Sequence, residues 1–205
     1  IKVYVVGEVV RPGAYEISAL ATTSNALYAA CGPARSGSLR QVKVMREGKT
    51  VAELDLYDVL LRGDRRFGER LQSGGVVLVP PLGPVVAVSG SIKRPAIYEV
   101  KPGVRLTELL TLAGGLTPLS DRQRCHLFRL DPERGRIMVD VDLVGALASQ
   151  GHEKSRPGVA GGDPVLLDGD YVRIGILPTQ ITNVVSLVGA VKSPGPYEYR
   201  PGMKV

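Results

Sequence analysis

The chain has 205 residues, of which 44% are hydrophobic, a length typical of one or two domains and a composition that argues against intrinsic disorder. Aromatic residues make up only 5% and tryptophan is absent, while valine, leucine and glycine are abundant, which favours β-structure with tight turns over long helices. The formal net charge of +6 fits an anionic partner and equally fits simple solubility, and no apolar run reaches the roughly 18 residues of a membrane-spanning helix.

One nonapeptide pattern occurs three times along the chain. It reads GEVVRPGAY at residues 7–15, GSIKRPAIY at 90–98 and GAVKSPGPY at 189–197. An apolar, valine-rich run precedes each copy and predicts a buried strand, and the tyrosine resumes an extended segment. Each copy is therefore predicted to be the core of a β-hairpin. The positions that define the repeat are Gly7, Pro12, Tyr15, Gly90, Pro95, Tyr98, Gly189, Pro194 and Tyr197.

Glycine and proline within the pattern predict backbone geometry. A glycine inside a strand pattern, such as Gly7, typically marks a bulge or the close approach of another backbone. In the Pro-Gly pairs, Gly13 and Gly195 would take the positive φ of a type II turn, whereas Ala96 in the second copy argues against that turn. The repeated tyrosine is interpreted as packing on the sheet, with stacking on a sugar as the alternative.

A short helix is predicted after each of the first two hairpins. Ser24 or Asn25 would cap the first helix and Gly32 would end it, while Thr107 would cap the second and Gly115 would end it. Because Gly7 and Gly90, and also Gly32 and Gly115, are separated by 83 residues, the two helices occupy the same place in the repeat.

Strand candidates follow each helix, at 41–46, 50–56 and 71–79 and again at 125–130, 136–143 and 166–174. A helix laid across a small mixed sheet is the β-grasp arrangement of the α+β class. We predict tandem β-grasp domains at 1–82 and 83–178, the second with an insertion loop at 144–164, and a partial third repeat at 179–205. Since two isolated strands are marginal in water, this last hairpin should pack on a full copy, in this chain or a neighbour.

The segments VVGEVVRPGAYEI and LLDGDYVRI, with helices ending in AACG or LAGG, resemble the SLBB domain, the soluble-ligand-binding β-grasp module. The resemblance covers almost the whole chain, although the first copy has Gly75 where the second has Asp170. Tandem SLBB modules are typical of outer-membrane polysaccharide export proteins, which form channels for capsule and exopolysaccharide. The resemblance implies a non-catalytic, periplasmic segment of such an outer-membrane-associated protein.

The resemblance also implies partners. The intact protein should be a homo-oligomeric ring that contacts the exported polysaccharide, and an inner-membrane polysaccharide co-polymerase is a further candidate. The segment alone should be a monomer or weak dimer, without cofactors and without nucleic acid. The alternatives are a nucleic-acid-binding module of a competence-type DNA-uptake receptor and an accessory domain of a redox enzyme, since both kinds of protein carry SLBB copies. No helix-hairpin-helix element supports the first, and two cysteines cannot by themselves ligate an iron–sulfur cluster.

The sequence shows no catalytic constellation and no metal-ligand spacing. Asp140 and Asp142 would share a strand face, which could hold a cation but is more typical of an exposed surface. Cys31 and Cys125 are predicted to be free, buried thiols. Ligand contacts are expected from basic residues beside the repeated proline, namely Arg11, Lys93, Arg94 and Lys192.

Overall fold

The computed structural model describes residues 1–63, 70–148, 162–178 and 181–202. These residues form two five-stranded sheets and one two-stranded sheet, with short helices between the strands. The chain therefore has the predicted α+β fold.

The first sheet and its helices, which we call module 1, lie within residues 1–79. The elements are β1 (Lys2–Gly7), β2 (Gly13–Glu16), α1 (Thr23–Ala29), β3 (Val42–Arg46), β4 (Lys49–Leu54), α2 (Leu56–Arg62) and β5 (Val76–Val79). The strand order is β2-β1-β5-β3-β4, in which β1 and β5 are parallel and the other neighbours are antiparallel.

Module 2 lies within residues 85–176 and repeats this topology. Its elements are β6 (Val85–Gly90), β7 (Ala96–Glu99), α3 (Leu106–Leu112), β8 (Ser120–Asp131), β9 (Gly135–Val141), α4 (Leu143–Ala148) and β10 (Tyr171–Ile176). The order β7-β6-β10-β8-β9 matches module 1 strand for strand. The register also matches, because Gly7 pairs with Val79 and Gly90 pairs with Ile174, the fourth pair of each parallel ladder.

Each module buries one face of its sheet against its first helix. In module 1, Ala26 and Leu27 of α1 lie on Val3, Val5 and Val77. In module 2 the corresponding core is formed by Leu106, Leu109 and Leu110 of α3 with the inner residues of the strands. Tyr57 and Leu61 of module 1 also pack against the second core, so the two modules share apolar contacts.

Two helices were not predicted. Asp55 caps α2, because its side chain accepts the Tyr57 N–H, and the Asp142 side chain accepts the Val144 N–H at the start of α4. Helix α4 occupies the beginning of the predicted insertion loop at 144–164, while 149–161 lies outside the described residues. The prediction that Asp140 and Asp142 share a strand face is therefore wrong, since β9 ends at Val141.

The predicted helix caps were shifted. Thr22, rather than Ser24 or Asn25, is the N-cap of α1, and Asn25 completes a capping box with it. Thr107 lies inside α3 and does not cap it. The cap is supplied from a distance, because the Asp163 carboxylate accepts the Thr107 N–H at 2.9 Å and also the Thr107 hydroxyl.

The type II turn was also assigned to the wrong Pro-Gly pair. Gly13 begins strand β2 and has no positive φ, so Ala96 takes the same place in β7 without strain. Gly195 begins β12 with φ 152°, which is far from the roughly +80° that a type II turn needs. A φ of 80° occurs instead at Gly103, where the Val104 N–H donates to the Lys101 carbonyl across Pro102-Gly103.

The third repeat forms the predicted hairpin, β11 (Val184–Leu187) paired antiparallel with β12 (Gly195–Glu198). Val185 corresponds to Val3 and Val86, which are fully buried, yet it is 43% exposed. Among the described residues, the hydrogen bonds of the hairpin stay within it. The expectation that it packs on a full copy within this chain is thus not met.

Candidate functional site

The repeated glycine and tyrosine have structural roles. A Cβ at Gly7 would lie 2.1 Å from the Val79 carbonyl oxygen, and one at Gly90 would lie 2.0 Å from that of Ile174. This confirms the predicted close approach of a second backbone. The Tyr15, Tyr98 and Tyr197 hydroxyls each donate to the carbonyl four residues earlier, at 2.6, 2.7 and 2.6 Å. The repeated tyrosine therefore closes its own loop, while its packing on the sheet and its stacking on a sugar both stay predictions.

The four predicted ligand contacts lie in these hairpin loops, and all four are exposed. Backbone hydrogen bonds attach the first two loops to helix ends: the Arg11 N–H donates to the Ala30 carbonyl, and the Lys93 N–H to that of Gly115. Arg94 has an intramolecular partner, since its Nη2 donates to the Leu112 carbonyl at 3.1 Å. The side chains of the other three predicted contact residues, Arg11, Lys93 and Lys192, extend from the loops without a described hydrogen bond.

A buried carboxylate that the sequence analysis missed joins the two modules. Glu99, at the end of β7, is only 3% exposed. Its Oε1 accepts the Ser38 hydroxyl at 2.7 Å and the Gly83 N–H at 2.9 Å, and its Oε2 accepts the N–H groups of Leu39 (2.7 Å) and Arg40 (3.2 Å). Three of these four donors belong to module 1. A buried charge satisfied in this way fixes the orientation of the groups around it.

Arg40 also contacts the backbone of Glu99 and connects it to Asp55 and Tyr57. Its Nε donates to the Glu99 carbonyl at 2.6 Å, its Nη1 lies 2.9 Å from Asp55 Oδ2, and its guanidinium is 4.2 Å from the Tyr57 ring centroid. Lys101 of module 2 reaches the same Asp55 oxygen at 2.9 Å. The Tyr57 hydroxyl accepts the Glu99 N–H at 3.0 Å, and burial raises the pKa of this tyrosine, so the hydroxyl stays neutral.

Two clefts flank this intermodule contact. One has a volume of about 360 Å³ and the other about 490 Å³, and Arg40, Asp55 and Lys101 line both. Their walls combine carboxylates, cations and peptide groups. The arrangement suits holding the modules together and contacting polar groups.

Asp170, which stands in module 2 where module 1 has Gly75, forms an ion pair with Arg129. Asp170 is 2% exposed and receives two hydrogen bonds from Arg129, Nε to Oδ1 at 3.0 Å and Nη2 to Oδ2 at 2.6 Å. The hydrogen bond to Asp170 raises the pKa of Arg129. Asp170 Oδ2 also accepts the Leu167 N–H, so this aspartate fixes the turn before β10.

The two cysteines differ in exposure, and His126 lies near a carboxylate. Cys125 is buried, and burial raises its pKa to about 12. Cys31 is exposed, so the prediction that both thiols are buried is wrong; it lies at the helix end with φ 62°, where module 2 has Gly114. His126 Nε2 lies 3.4 Å from Asp140 Oδ1 on the exposed face of the second sheet. Within the described ranges, no three side chains are arranged to hold a metal ion.

Family models describe most of the chain. A model of the SLBB domain matches residues 85–141 and 184–205, and a second SLBB domain model matches residues 1–79. The matched segments coincide with module 1, with the first part of module 2 and with the third hairpin. Comparison with curated proteins gave no match. None of the described helices is long and apolar enough to cross a membrane.

Proposed function

Since the chain belongs to the SLBB domain family, we propose that it is a non-catalytic periplasmic segment of a polysaccharide export channel, within a protein associated with the outer membrane. SLBB domains are binding modules that are found in polysaccharide export proteins. The observation that carries the proposal is the tandem arrangement, in which a buried carboxylate joins two modules of identical topology. Stacked modules with a fixed mutual orientation suit the wall of an elongated channel.

Ring assembly is the first part of this function. Each five-stranded sheet has two edge strands, β2 and β4 in module 1 and β7 and β9 in module 2, whose outer backbone groups need partners or protection. Identical chains that meet through different surfaces close into a ring when the rotation allows it. We propose that the intact protein is a cyclic homo-oligomer, with an inner-membrane polysaccharide co-polymerase as a partner on its periplasmic side.

The mass of the full-length protein in detergent tests this part. A cyclic oligomer is the expected result, while the segment of residues 1–205 alone should be a monomer or weak dimer, because it presents small individual interfaces. A strictly monomeric full-length particle would reject the channel.

Contact with the exported polymer is the second part. Each of the three loops presents a cation one or two residues before its proline, which suits an anionic polysaccharide. Binding of fluorescent polygalacturonate, followed by anisotropy, should weaken as salt increases. It should also weaken when alanine replaces Arg11, Lys93 and Lys192. A control variant carries alanine at three exposed basic residues outside these loops, Lys49, Arg134 and Arg136. Equal loss in both variants would remove the loops from the polysaccharide site.

A further inference from the structure

Four side chains of module 1 form the surface on which module 2 is seated. We call Ser38, Arg40, Asp55 and Tyr57 the receiving surface. Three of them bind Glu99 at the end of β7: the Ser38 hydroxyl donates to its carboxylate, the Arg40 guanidinium donates to its carbonyl, and the Tyr57 hydroxyl accepts its N–H. Ser38 is fully buried and Tyr57 is 8% exposed.

In module 2 the positions that correspond to the receiving surface carry different residues. The constant separation of 83 places Asp121 at the position of Ser38 and Gln123 at that of Arg40. The backbone supports this match, because the Arg40 N–H donates to Ser38 Oγ and the Gln123 N–H donates to Asp121 Oδ1. Val144, two residues after the cap of α4, replaces Tyr57, two residues after the cap of α2.

The strand end that would be seated there is nearly unchanged. Glu99 is matched by Glu198, which lies 99 residues later, and Lys101 is matched by Arg200. The incoming residues therefore remain an acid followed by a base, and the difference between the two interfaces lies on the receiving side.

Each of the three replacements removes a contact. Asp121, as a carboxylate, has no proton to donate to Glu198 and repels it, whereas the Ser38 hydroxyl donates to Glu99. Val144 has no hydroxyl to accept the backbone N–H of Glu198. Gln123 lacks the charge of the guanidinium that lies on the Tyr57 ring in the first interface.

The structure of the third repeat agrees with this difference. The Glu198 side chain is 57% exposed and is bound by Arg200 of its own hairpin, at 2.9 Å from Nη2. Lys101, at the matching position, instead crosses the interface to Asp55. Val144 is 52% exposed, whereas Tyr57 is buried beneath module 2.

We infer that the receiving surface selects which repeats are rigidly joined: module 1 holds module 2 in one orientation, while the altered surface of module 2 leaves the third repeat free to reorient. This goes beyond the proposed function, because it assigns a rigid pair and an adjustable unit within the chain whatever the ligand.

Residual dipolar couplings of the backbone amides in the chain of residues 1–205 test this inference. Couplings from modules 1 and 2 should fit one alignment tensor, and those of residues 184–198 should require a different one. A converting variant, D121S/Q123R/V144Y, should bring the hairpin onto the tensor of module 2 and slow exchange of the Glu198 amide about tenfold or more. The matched control E133S/M138Y makes similar replacements at exposed sites and should leave the hairpin on its own tensor.

The reverse variant, S38D/Y57V, should separate modules 1 and 2 onto two tensors. A hairpin that shares the module tensor in the unmodified chain would overturn the inference. A converting variant whose hairpin keeps a separate tensor would also overturn it. This second test does not depend on the reverse variant, whose changes are buried, because Val144 and Gln123 lie at the surface.

Discussion

Replacing Glu99 with glutamine tests how much the buried carboxylate stabilises the pair of modules. Each oxygen of Glu99 accepts from at least one backbone N–H, Oε1 from Gly83 and Oε2 from Leu39 and Arg40. Whichever way a glutamine amide is oriented, its NH₂ group faces a donor and leaves at least one N–H unsatisfied. Hydrogen bonds to charged groups contribute about 1.5–3 kcal/mol each, and breaking a buried charged network costs about 3–5 kcal/mol.

We therefore expect Glu99→Gln to lower the free energy of unfolding by about 3 kcal/mol. For a chain of this length that corresponds to a decrease in Tm of about 6–12 °C, measured by circular dichroism. Glu16→Gln is the matched control, because Glu16 holds the same repeat position but is exposed, and its effect should stay within about 0.5 kcal/mol. Equal effects of the two substitutions would refute the assignment of this stability to the buried contact.

Two further predictions concern the repeated glycine and the thiols. Gly90→Ala should lower the free energy of unfolding of module 2 by more than about 3 kcal/mol in chemical denaturation, because its Cβ would meet the Ile174 carbonyl at 2.0 Å. Gly189→Ala also strains a positive φ, of 110°, but it has open space and lies outside the two modules, so their stability should stay within about 0.5 kcal/mol. Equal losses would contradict this. At about pH 8 a thiol reagent should modify Cys31 rapidly and Cys125 only after denaturation, and two fast native thiols would disprove it. Burial raises the pKa of Cys125 to about 12, so as the pH rises the unfolded chain loses the thiol proton before the folded chain does. The stability that this thiol contributes is therefore fully present below about pH 8.5 and decreases as the pH rises towards 12.

The sequence was sufficient for features that local patterns encode. Valine-rich runs and a constant separation of 83 residues located the strands and the first helix of each module. Of the two interpretations of the repeated glycine, a bulge or a close backbone approach, the second is confirmed at Gly7 and Gly90, whereas Gly189 has open space. The short helices α2 and α4 were missed because each follows a strand almost directly, so that its first residues were included in the predicted strand, although Asp-Leu at 55–56 and 142–143 marks their caps.

The intermodule contact could not be predicted, because its partners lie far apart in the chain. Glu99 is about 60 residues from Ser38 and looks like an ordinary exposed acid in an alternating strand. The cap of α3 could not be predicted for the same reason, since Asp163 lies near the end of the predicted insertion loop, 56 residues from Thr107. The domain boundaries at 82 and 178 and the four basic contact residues stay predictions.

The parallel pairing of β1 with β5 has a consequence for biogenesis. Tyr4 is next to Val76, so the central ladder of module 1 can form only after more than 70 residues have been synthesised. Until then the edge of β1 that will pair with β5 is unpaired. As the chain emerges from its N-terminus, this edge could pair wrongly with another strand. We therefore expect module 1 to complete its fold first and to offer its receiving surface to the end of β7 as the next repeat emerges.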